Sequence, residues 1–229
     1  MVRSEGFEAL TYVRPELTAM RQTAEALLAQ HATRRSVRHF SPDPIPLDVL
    51  DLCIRAAGLA PSGAHKQPWS FCVVTDPALK RKIRAAAEAE EQAFYTARAP
   101  QSWLDDLAVF GTDANKPFLE TAPALVVLFA QNRGPDGSKH YYISESVGIA
   151  AGFFISALHR CGLVTLTHTP SPMGFLGELL NRPKNERAFL LLPVGFPAED
   201  CQVPILARKS LEAIRVRYDE GPHTATPQE

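Results

Sequence analysis

The chain has 229 residues, of which 45% are hydrophobic and 21% charged, and its formal net charge is −1. These values are ordinary for a globular protein, and they exclude a general electrostatic attraction to nucleic acid or to an anionic membrane. The cysteines, Cys53, Cys72, Cys161 and Cys201, form no C-x-x-C pair and match no zinc-ligand spacing. We therefore predict free thiols, no metal site and a cytoplasmic location.

The first residues and the apolar stretches of the chain show whether a signal peptide or a membrane span is to be expected. Met1–Leu10 has few apolar residues and two glutamates, which is atypical of a signal peptide. The longest apolar stretch, Val147–Leu158, is too short to span a bilayer. We expect a soluble protein with one domain over residues 1–229 and loose ends at about 1–15 and 220–229.

The first half of the chain alternates between helical and strand patterns. Apolar residues at helical spacing predict a helix over Glu16–Ala32, which a basic loop, Arg34–Arg38, follows. A second amphipathic helix begins near Pro46 and ends at Gly58, and the apolar, β-rich run Trp69–Val74 predicts a buried strand. An Asp-Pro start signal then predicts a helix from Pro77 to about Arg98.

The second half continues the alternation. Ala124–Ala130 is a further buried strand, and Ser144–Arg160 is a helix that is apolar on nearly all sides and therefore central. Leu163–Thr167 and Phe189–Val194 are strand candidates, with a short helix over Met173–Asn181 between them. This alternation predicts an α/β or α+β protein, but no G-x-G-x-x-G or phosphate-binding loop motif follows a strand.

Two segments carry a resemblance to a known family. They are Arg34–Phe40, with the sequence RRSVRHF, and Ala60–Phe71, with the sequence APSGAHKQPWSF. Together they resemble the flavin-binding signature of the nitroreductase superfamily, and the P-S-G-A-H piece resembles its iodotyrosine deiodinase branch. The likeness continues through Lys116, Thr121–Pro123, His140–Tyr142, Gly162–Thr165, Leu192–Gly195 and Val203–Pro204.

The resemblance implies an α+β fold of the nitroreductase type. Its central, mostly antiparallel sheet is flanked by helices, and two chains intertwine as a homodimer with FMN at the interface. The stretch Cys201–Tyr218 is long enough to be an arm that wraps around the partner.

The basic loop is the first candidate cofactor site. Arg34, Arg35 and Arg38 supply forked cationic donors that suit a phosphate and a ring that becomes negative on reduction. Taken alone, the pattern favours a solvated charge cluster or a phosphorylation site. The resemblance implies instead that these arginines, together with Ser36 and Arg208, bind FMN.

The Pro-Ser-Gly-Ala loop is the second candidate. Pro61, Ser62, Gly63 and Ala64 form a turn that can bring backbone N–H groups close to a ligand, although an ordinary helix-to-strand turn has the same composition. The resemblance implies that the loop reaches the flavin of the partner subunit. It also implies a catalytic contact between the Ala64 amide and the phenolic oxygen of the substrate.

The segment Thr165–Pro170 matches one that lies along the edge of the flavin ring. On residue pattern alone it is a strand with alternating threonines. The resemblance implies that Thr167, His168 and Thr169 are cofactor contacts and that a threonine hydroxyl, Thr169 or as second choice Thr167, donates to flavin N5. It implies no individual role for His168, where the branch has a further threonine.

A third set of residues is implied to bind substrate. Glu91 and Tyr95 are one helical turn apart, and Lys116 follows beyond a turn. Taken alone, Glu91 and the neighbouring glutamates are typical of an acidic solvated face. The resemblance implies that Glu91, Tyr95 and Lys116 hold the charged groups of an amino acid. Phe94 and Trp103 lie in the same segment and are candidates either for packing over the phenol ring or for core or interface packing.

These residues lead to a specific hypothesis. The chain is an FMN-dependent oxidoreductase that removes halide from iodo-, bromo- or chlorotyrosine, with a reductase or NAD(P)H as electron donor. One alternative is an NAD(P)H-dependent nitro or quinone reductase on the same fold, which would not need the amino-acid-binding set. Another is a non-catalytic binder of flavin or amino acid.

Overall fold

The computed structural model describes residues 6–218. Its strands are Trp69–Val74 (β1), Ala124–Gln131 (β2), Val164–Thr165 (β3) and Glu186–Gly195 (β4). They form one sheet with the order β1-β2-β4-β3, and every neighbouring pair is antiparallel. The predicted antiparallel sheet with flanking helices is therefore confirmed.

Helices cover both faces of this sheet. They are Leu17–Ala32 (α1), Leu47–Gly58 (α2), Pro77–Ala93 (α3), Gln101–Ala108 (α4), Phe118–Thr121 (α5), Ile143–Arg160 (α6), Gly174–Leu179 (α7) and Leu211–Ile214 (α8). Among residues 6–218, each helix is too short or too polar to cross a lipid bilayer.

Strand β2 is the centre of the core because both of its faces are buried. Val126 and Leu128 pack with Phe154 on the side of α2 and α6. The alternate residues Val127 and Phe129 pack on the side of α3, α5 and α7. A strand buried on both faces is apolar without alternation, which is why the run is apolar throughout.

The observed elements differ from the predicted ones in three respects. Strand β3 ends at Thr165, and beyond it only the backbone of His168 pairs with the sheet, through Leu191. Helix α3 ends at Ala93, and one π-helical turn, Phe94–Arg98, follows it. Helices α4, α5 and α8 have no counterpart in the sequence-based assignment, because each is too short to show a clear helical periodicity.

Helix α6 is central, as expected, but not fully enclosed. One side packs against α2 through residues that include Phe154 and Leu158. The other side leaves Ile149 42% and Phe153 46% exposed. An apolar helix face that the rest of its own chain does not cover is typical of an interaction surface.

The segments at the two ends of the described chain lie on the surface. Residues 6–16 are exposed and belong to no helix or strand, and α1 has no buried residue. Residues 201–218 are extended except for α8, and Ile205 and Tyr218 are exposed there. The outer parts of the predicted loose ends, 1–5 and 219–229, lie outside the described residues.

Candidate active site

A cavity of about 790 Å³ lies between the end of α3, the segment after β3 and the beginning of β4. Residues predicted to bind substrate and residues predicted to bind cofactor line it together. Its lining includes Arg38, Glu91, Phe94, Tyr95, Trp103, Thr112, Lys116, Phe118, Thr167, His168 and Thr169.

The π-helical turn after α3 shapes one wall of this cavity. It carries Tyr95 and begins three residues after Glu91, which lies in the last turn of α3, and both side chains line the same space. The Phe94 ring meets the Trp103 ring of α4 edge to face, with centroids 5.0 Å apart. Such turns are rare and occur frequently at functional sites. Contact between these aromatic rings and a ligand stays a prediction.

Lys116 is deeply buried in the wall of the cavity, with only 4% of its side chain exposed. Its Nζ lies 3.3 Å from Glu91 Oε2 and donates to Thr112 Oγ1 at 3.0 Å and to the Asp113 carbonyl. It also lies 5.6 Å from the centroid of the Tyr95 ring. The three residues of the predicted substrate set are therefore brought together.

The acidic run on α3 is not a uniformly solvated face. Glu88 Oε1 accepts from the backbone N–H of Lys116 and from the Arg84 guanidinium, both at 2.7 Å. Glu90 pairs with Arg98 at 2.8 Å. Of these glutamates, only Glu91 lines the cavity.

Burial controls the electrostatics of the Glu91–Lys116 pair. Desolvation raises the pKa of Glu91, while the charge of Lys116 and its hydrogen bond act in the opposite direction. Burial also raises the pKa of the Tyr95 phenol, whose hydroxyl donates to the Thr112 carbonyl at 3.2 Å. A desolvated ion pair of this kind is open to exchange with the charges of a ligand.

His168 lies between the predicted cofactor contacts and the predicted substrate contacts. Its side chain is buried, its Nε2 lies 3.9 Å from Glu91 Oε1, and its ring meets the Phe118 ring edge to face at 5.5 Å. Burial lowers the pKa of His168 to about 3, and the charges of Lys116 and Arg38 act in the same direction. The imidazole is therefore neutral.

Thr167 and Thr169 flank this histidine and also line the cavity. Both are exposed, whereas His168 and Leu166 are buried. Hydroxyl groups are thus available at the wall of the cavity. Which of the two threonines contacts the flavin stays a prediction.

A second cavity, of about 320 Å³, lies beside the basic loop. Its lining brings together Arg34, Arg35, Ser36, Arg38 and Arg208, although Arg208 is far away in the sequence. The Arg208 guanidinium donates to the Arg34 carbonyl at 2.9 Å, and the Arg35 guanidinium donates to the Pro204 carbonyl. Arg38 lines both cavities.

Positive charge accumulates in the second cavity without compensation. Burial lowers the pKa of Arg34, and repulsion from Arg208 and Arg35 lowers it further. Among residues 6–218, no carboxylate pairs with these arginines or with Arg38. A phosphate dianion would relieve this repulsion.

The Pro-Ser-Gly-Ala loop stands apart from both cavities within one chain. The Gly63 N–H donates to Ser146 Oγ at 3.2 Å, and a Cβ at Gly63 would lie 3.1–3.2 Å from atoms of Tyr141 and Tyr142. Ala64 has a left-handed backbone, with φ 46°. Left-handed alanine is strained and persists where the surrounding structure requires it, as at binding sites.

Sequence reasoning missed three residues of the site. Thr112 holds both Lys116 and Tyr95, the Phe110 ring lies 5.7 Å from the Arg38 guanidinium, and Phe118 packs on His168. No motif marks them, because a single threonine or phenylalanine becomes part of a site only through tertiary contacts.

Comparison with known proteins identifies the family to which this fold belongs. The sequence profile described as the nitroreductase family matches residues 32–196. The chain therefore belongs to the nitroreductase family.

Within that family the chain is similar to iodotyrosine deiodinases. It is 57% identical over 189 residues to the iodotyrosine deiodinase of Haliscomenobacter hydrossis, covering 81% of this chain and 85% of that protein. It is 48% identical over 188 residues to that of Nematostella vectensis, covering 80% and 71%. A crystal structure of oxidised iodotyrosine deiodinase bound to FMN and 3-iodo-L-tyrosine superposes with a TM-score of 0.72. The identity is 32%, with 85% of this chain and all of that chain covered.

Proposed function

We propose that the protein is an FMN-dependent reductive dehalogenase of halogenated tyrosines. The observation that carries this proposal is the buried set of Glu91, Tyr95 and Lys116. It faces a cavity that shares Arg38 with the arginine-lined cavity. The similarity to iodotyrosine deiodinases over most of the chain supports the same activity.

The arginine-lined cavity fits the phosphate of FMN. Its cations lack carboxylate partners among the described residues, so a phosphate is a better counter-charge there than any side chain present. Arg34, Arg35, Ser36 and Arg208 would hold the phosphate. Arg38, at the junction of the two cavities, would reach the ring system.

The charged end of a halotyrosine matches the opposite side of the larger cavity. Glu91 would accept from the α-ammonium, while Lys116 and the Tyr95 hydroxyl would donate to the α-carboxylate. Lys116 already lies 3.3 Å from Glu91 and beside the Tyr95 ring, so binding exchanges protein partners for ligand charges. This set recognises the amino-acid part of the ligand and lies away from its halogen.

The chemistry requires electrons from a cofactor rather than a nucleophile from the protein. Halotyrosine, two electrons and one proton give tyrosine and halide. When bound, FMN supplies these electrons. The residues of the chain bind and orient the ring, and Thr169 or Thr167 would contact the flavin edge from the cavity wall.

The Ala64 amide would polarise the phenolic oxygen, which requires a second copy of the chain. Within one chain its loop lines neither cavity. The exposed apolar residues of α1, of α6 and of the segment 201–218 supply surface for such a homodimer. We therefore propose that each site combines the cavities of one subunit with the Pro61–Ala64 loop of the other.

The direct test uses the purified flavoprotein under anaerobic conditions. After reduction with dithionite, 3-iodotyrosine should be converted to tyrosine and iodide, and the flavin should return to its oxidised absorbance. Absence of both products would contradict the proposal. Rapid turnover of a nitrofuran with NADH, without affinity for halotyrosine, would identify the alternative nitro or quinone reductase.

Two accompanying proposals concern the cellular setting. A separate reductase or NAD(P)H would supply electrons to the flavin. A cytoplasmic location accords with four cysteines that are all free thiols.

A further inference from the structure

His168 carries an unsatisfied group in the middle of the site. Its Nε2 is buried and has no hydrogen-bond partner among the described residues. A buried nitrogen without a partner costs free energy and is an exception in folded proteins. Because the side chain lines the larger cavity, a partner for this nitrogen can come from within the site.

The backbone holds this side chain in a fixed place. The His168 N–H donates to the Leu191 carbonyl at 2.9 Å, and the Leu191 N–H donates back at 3.0 Å. The ring also packs against Phe118. His168 is thus anchored to β4, whereas Glu91 lies near the end of α3.

The two oxygens of Glu91 face different nitrogens. Oε2 lies 3.3 Å from Lys116 Nζ, and Oε1 lies 3.9 Å from His168 Nε2, just beyond hydrogen-bond distance. An acceptor in this position favours the tautomer that carries its proton on Nε2. The lowered pKa of His168 keeps the ring neutral, so it is a donor that adds no charge beside Lys116.

Binding of an amino acid would change the hydrogen-bond donors available to Glu91. The three protons of Lys116 are directed at Thr112, Asp113 and Glu91, and the contact with Glu91 is the longest. The ligand carboxylate would therefore replace Glu91 as the partner of Lys116 more readily than it would replace Thr112 or Asp113. Glu91 then requires a second hydrogen-bond donor to hold its carboxylate in position for the α-ammonium.

We propose that His168 is a positioning residue that donates its Nε2 proton to Glu91 Oε1 and so orients this carboxylate toward the α-ammonium of the substrate. The proposal rests on the proposed function, because it assigns His168 to recognition of the amino-acid group. It requires Glu91 and His168 to approach by about 1 Å. It makes His168 a determinant of preference for tyrosine derivatives over simple phenols.

The test compares side chains of similar size with and without a donor. His168→Phe keeps a ring against Phe118 but removes the donor, and His168→Gln keeps an N–H group. Binding of 3-iodotyrosine and of 2-iodophenol to the oxidised holoprotein is followed by flavin fluorescence. 2-Iodophenol retains the ring, hydroxyl and halogen but has no amino-acid group.

We expect His168→Phe to weaken 3-iodotyrosine binding about five- to tenfold and to leave 2-iodophenol binding unchanged. His168→Gln should recover part of the loss. In a Glu91→Gln background the His168→Phe change should have little further effect, because the two residues act as one unit. If His168→Phe does not retain flavin, His168→Leu serves the same comparison.

Equal binding of 3-iodotyrosine by wild type and His168→Phe would overturn the assignment. Equal loss for both ligands would also overturn it, since that result indicates a general packing role. If the wild type itself binds 3-iodotyrosine no better than 2-iodophenol, the amino-acid site fails and the inference falls with it. Binding of the two ligands to the wild-type protein therefore distinguishes failure of the proposed amino-acid site from failure of the role assigned to His168.

Discussion

Lys116 Nζ lies 3.3 Å from Glu91 Oε2, and the two side chains are only 4% and 13% exposed. An ion pair held this far from water is stabilised by its geometry and by the further hydrogen bonds to Thr112 and Asp113. Such a pair places ligand-recognising charge beside the aromatic residues of the cavity wall. Its disruption should therefore affect binding more than flavin content.

The Lys116→Met variant tests this directly. It retains the length of the side chain but loses a charge-assisted hydrogen bond, so the affinity for 3-iodotyrosine should fall about 10- to 100-fold. Calorimetric titration of the oxidised flavoprotein measures the change. Lys82→Met, at an exposed position of α3, is the matched control and should bind normally. Normal binding by Lys116→Met would contradict the proposed substrate site.

The Arg34→Ala variant tests the phosphate site. Removing one cation from the cluster should weaken FMN binding by about tenfold, because a charge-assisted hydrogen bond is lost. Riboflavin, which has no phosphate, should bind equally well to variant and wild type. Fluorescence quenching of both flavins gives the comparison, with exposed Arg81→Ala as control. A similar loss for both flavins would show that Arg34 does not hold the phosphate.

Gly195→Ala should destabilise the fold. A Cβ at Gly195 would lie 2.6 Å from Pro123 Cδ and 3.2 Å from Phe40 Cδ1, where neither rigid ring can give way easily. We expect a loss of about 1–3 kcal/mol in the free energy of unfolding, measured by urea denaturation. Gly58→Ala meets no atom within 4 Å and should change stability little. Equal stability of the two variants would refute the packing described at β4.

Stability should depend on pH through His168. Its pKa falls from 6.5 to about 3 on folding, so between these values the unfolded chain binds a proton that the folded chain does not. Stability from this residue is therefore present above pH 6.5 and is lost as the pH falls toward 3. Relative to His168→Phe, the wild type should lose up to about 1.4 kcal/mol per pH unit in this window.

Urea denaturation of both holoproteins at about pH 7 and about pH 5.5 measures the difference. The cationic groups that lower the pKa of His168, Lys116 and Arg38, are present in both proteins. The raised pKa of Glu91 acts in the opposite direction but is present in both proteins. A wild type that loses no more stability than His168→Phe would show that the imidazole is not buried neutral.

Phe153→Glu tests the proposed homodimer. Phe153 is 46% exposed on α6, and a carboxylate there would have to be desolvated in an apolar interface. We expect the variant to dissociate in multi-angle light scattering and to lose FMN, whereas Lys82→Glu should remain dimeric. A monomeric wild type that retains FMN would contradict the shared site.

Local patterns were sufficient for most of the architecture. Trp69–Val74 coincides with β1, and the helix predicted over Ser144–Arg160 differs from α6 by one residue at its beginning. These elements have continuous apolar runs or clear end signals. Helix α4 has eight residues and strand β3 two, and elements this short carry little periodic signal in the sequence.

The sequence by itself determined the element types, the basic loop and the family, because these depend on order and spacing along the chain. The sequence did not determine which residues contact each other in the site. Tertiary structure brings together Thr112 and Lys116, Arg208 and Arg34, and Glu91 and His168. Hydrogen bonds and ion pairs act over a few ångströms whatever the separation in sequence. Only the folded chain could therefore decide that His168 faces the glutamate of the site.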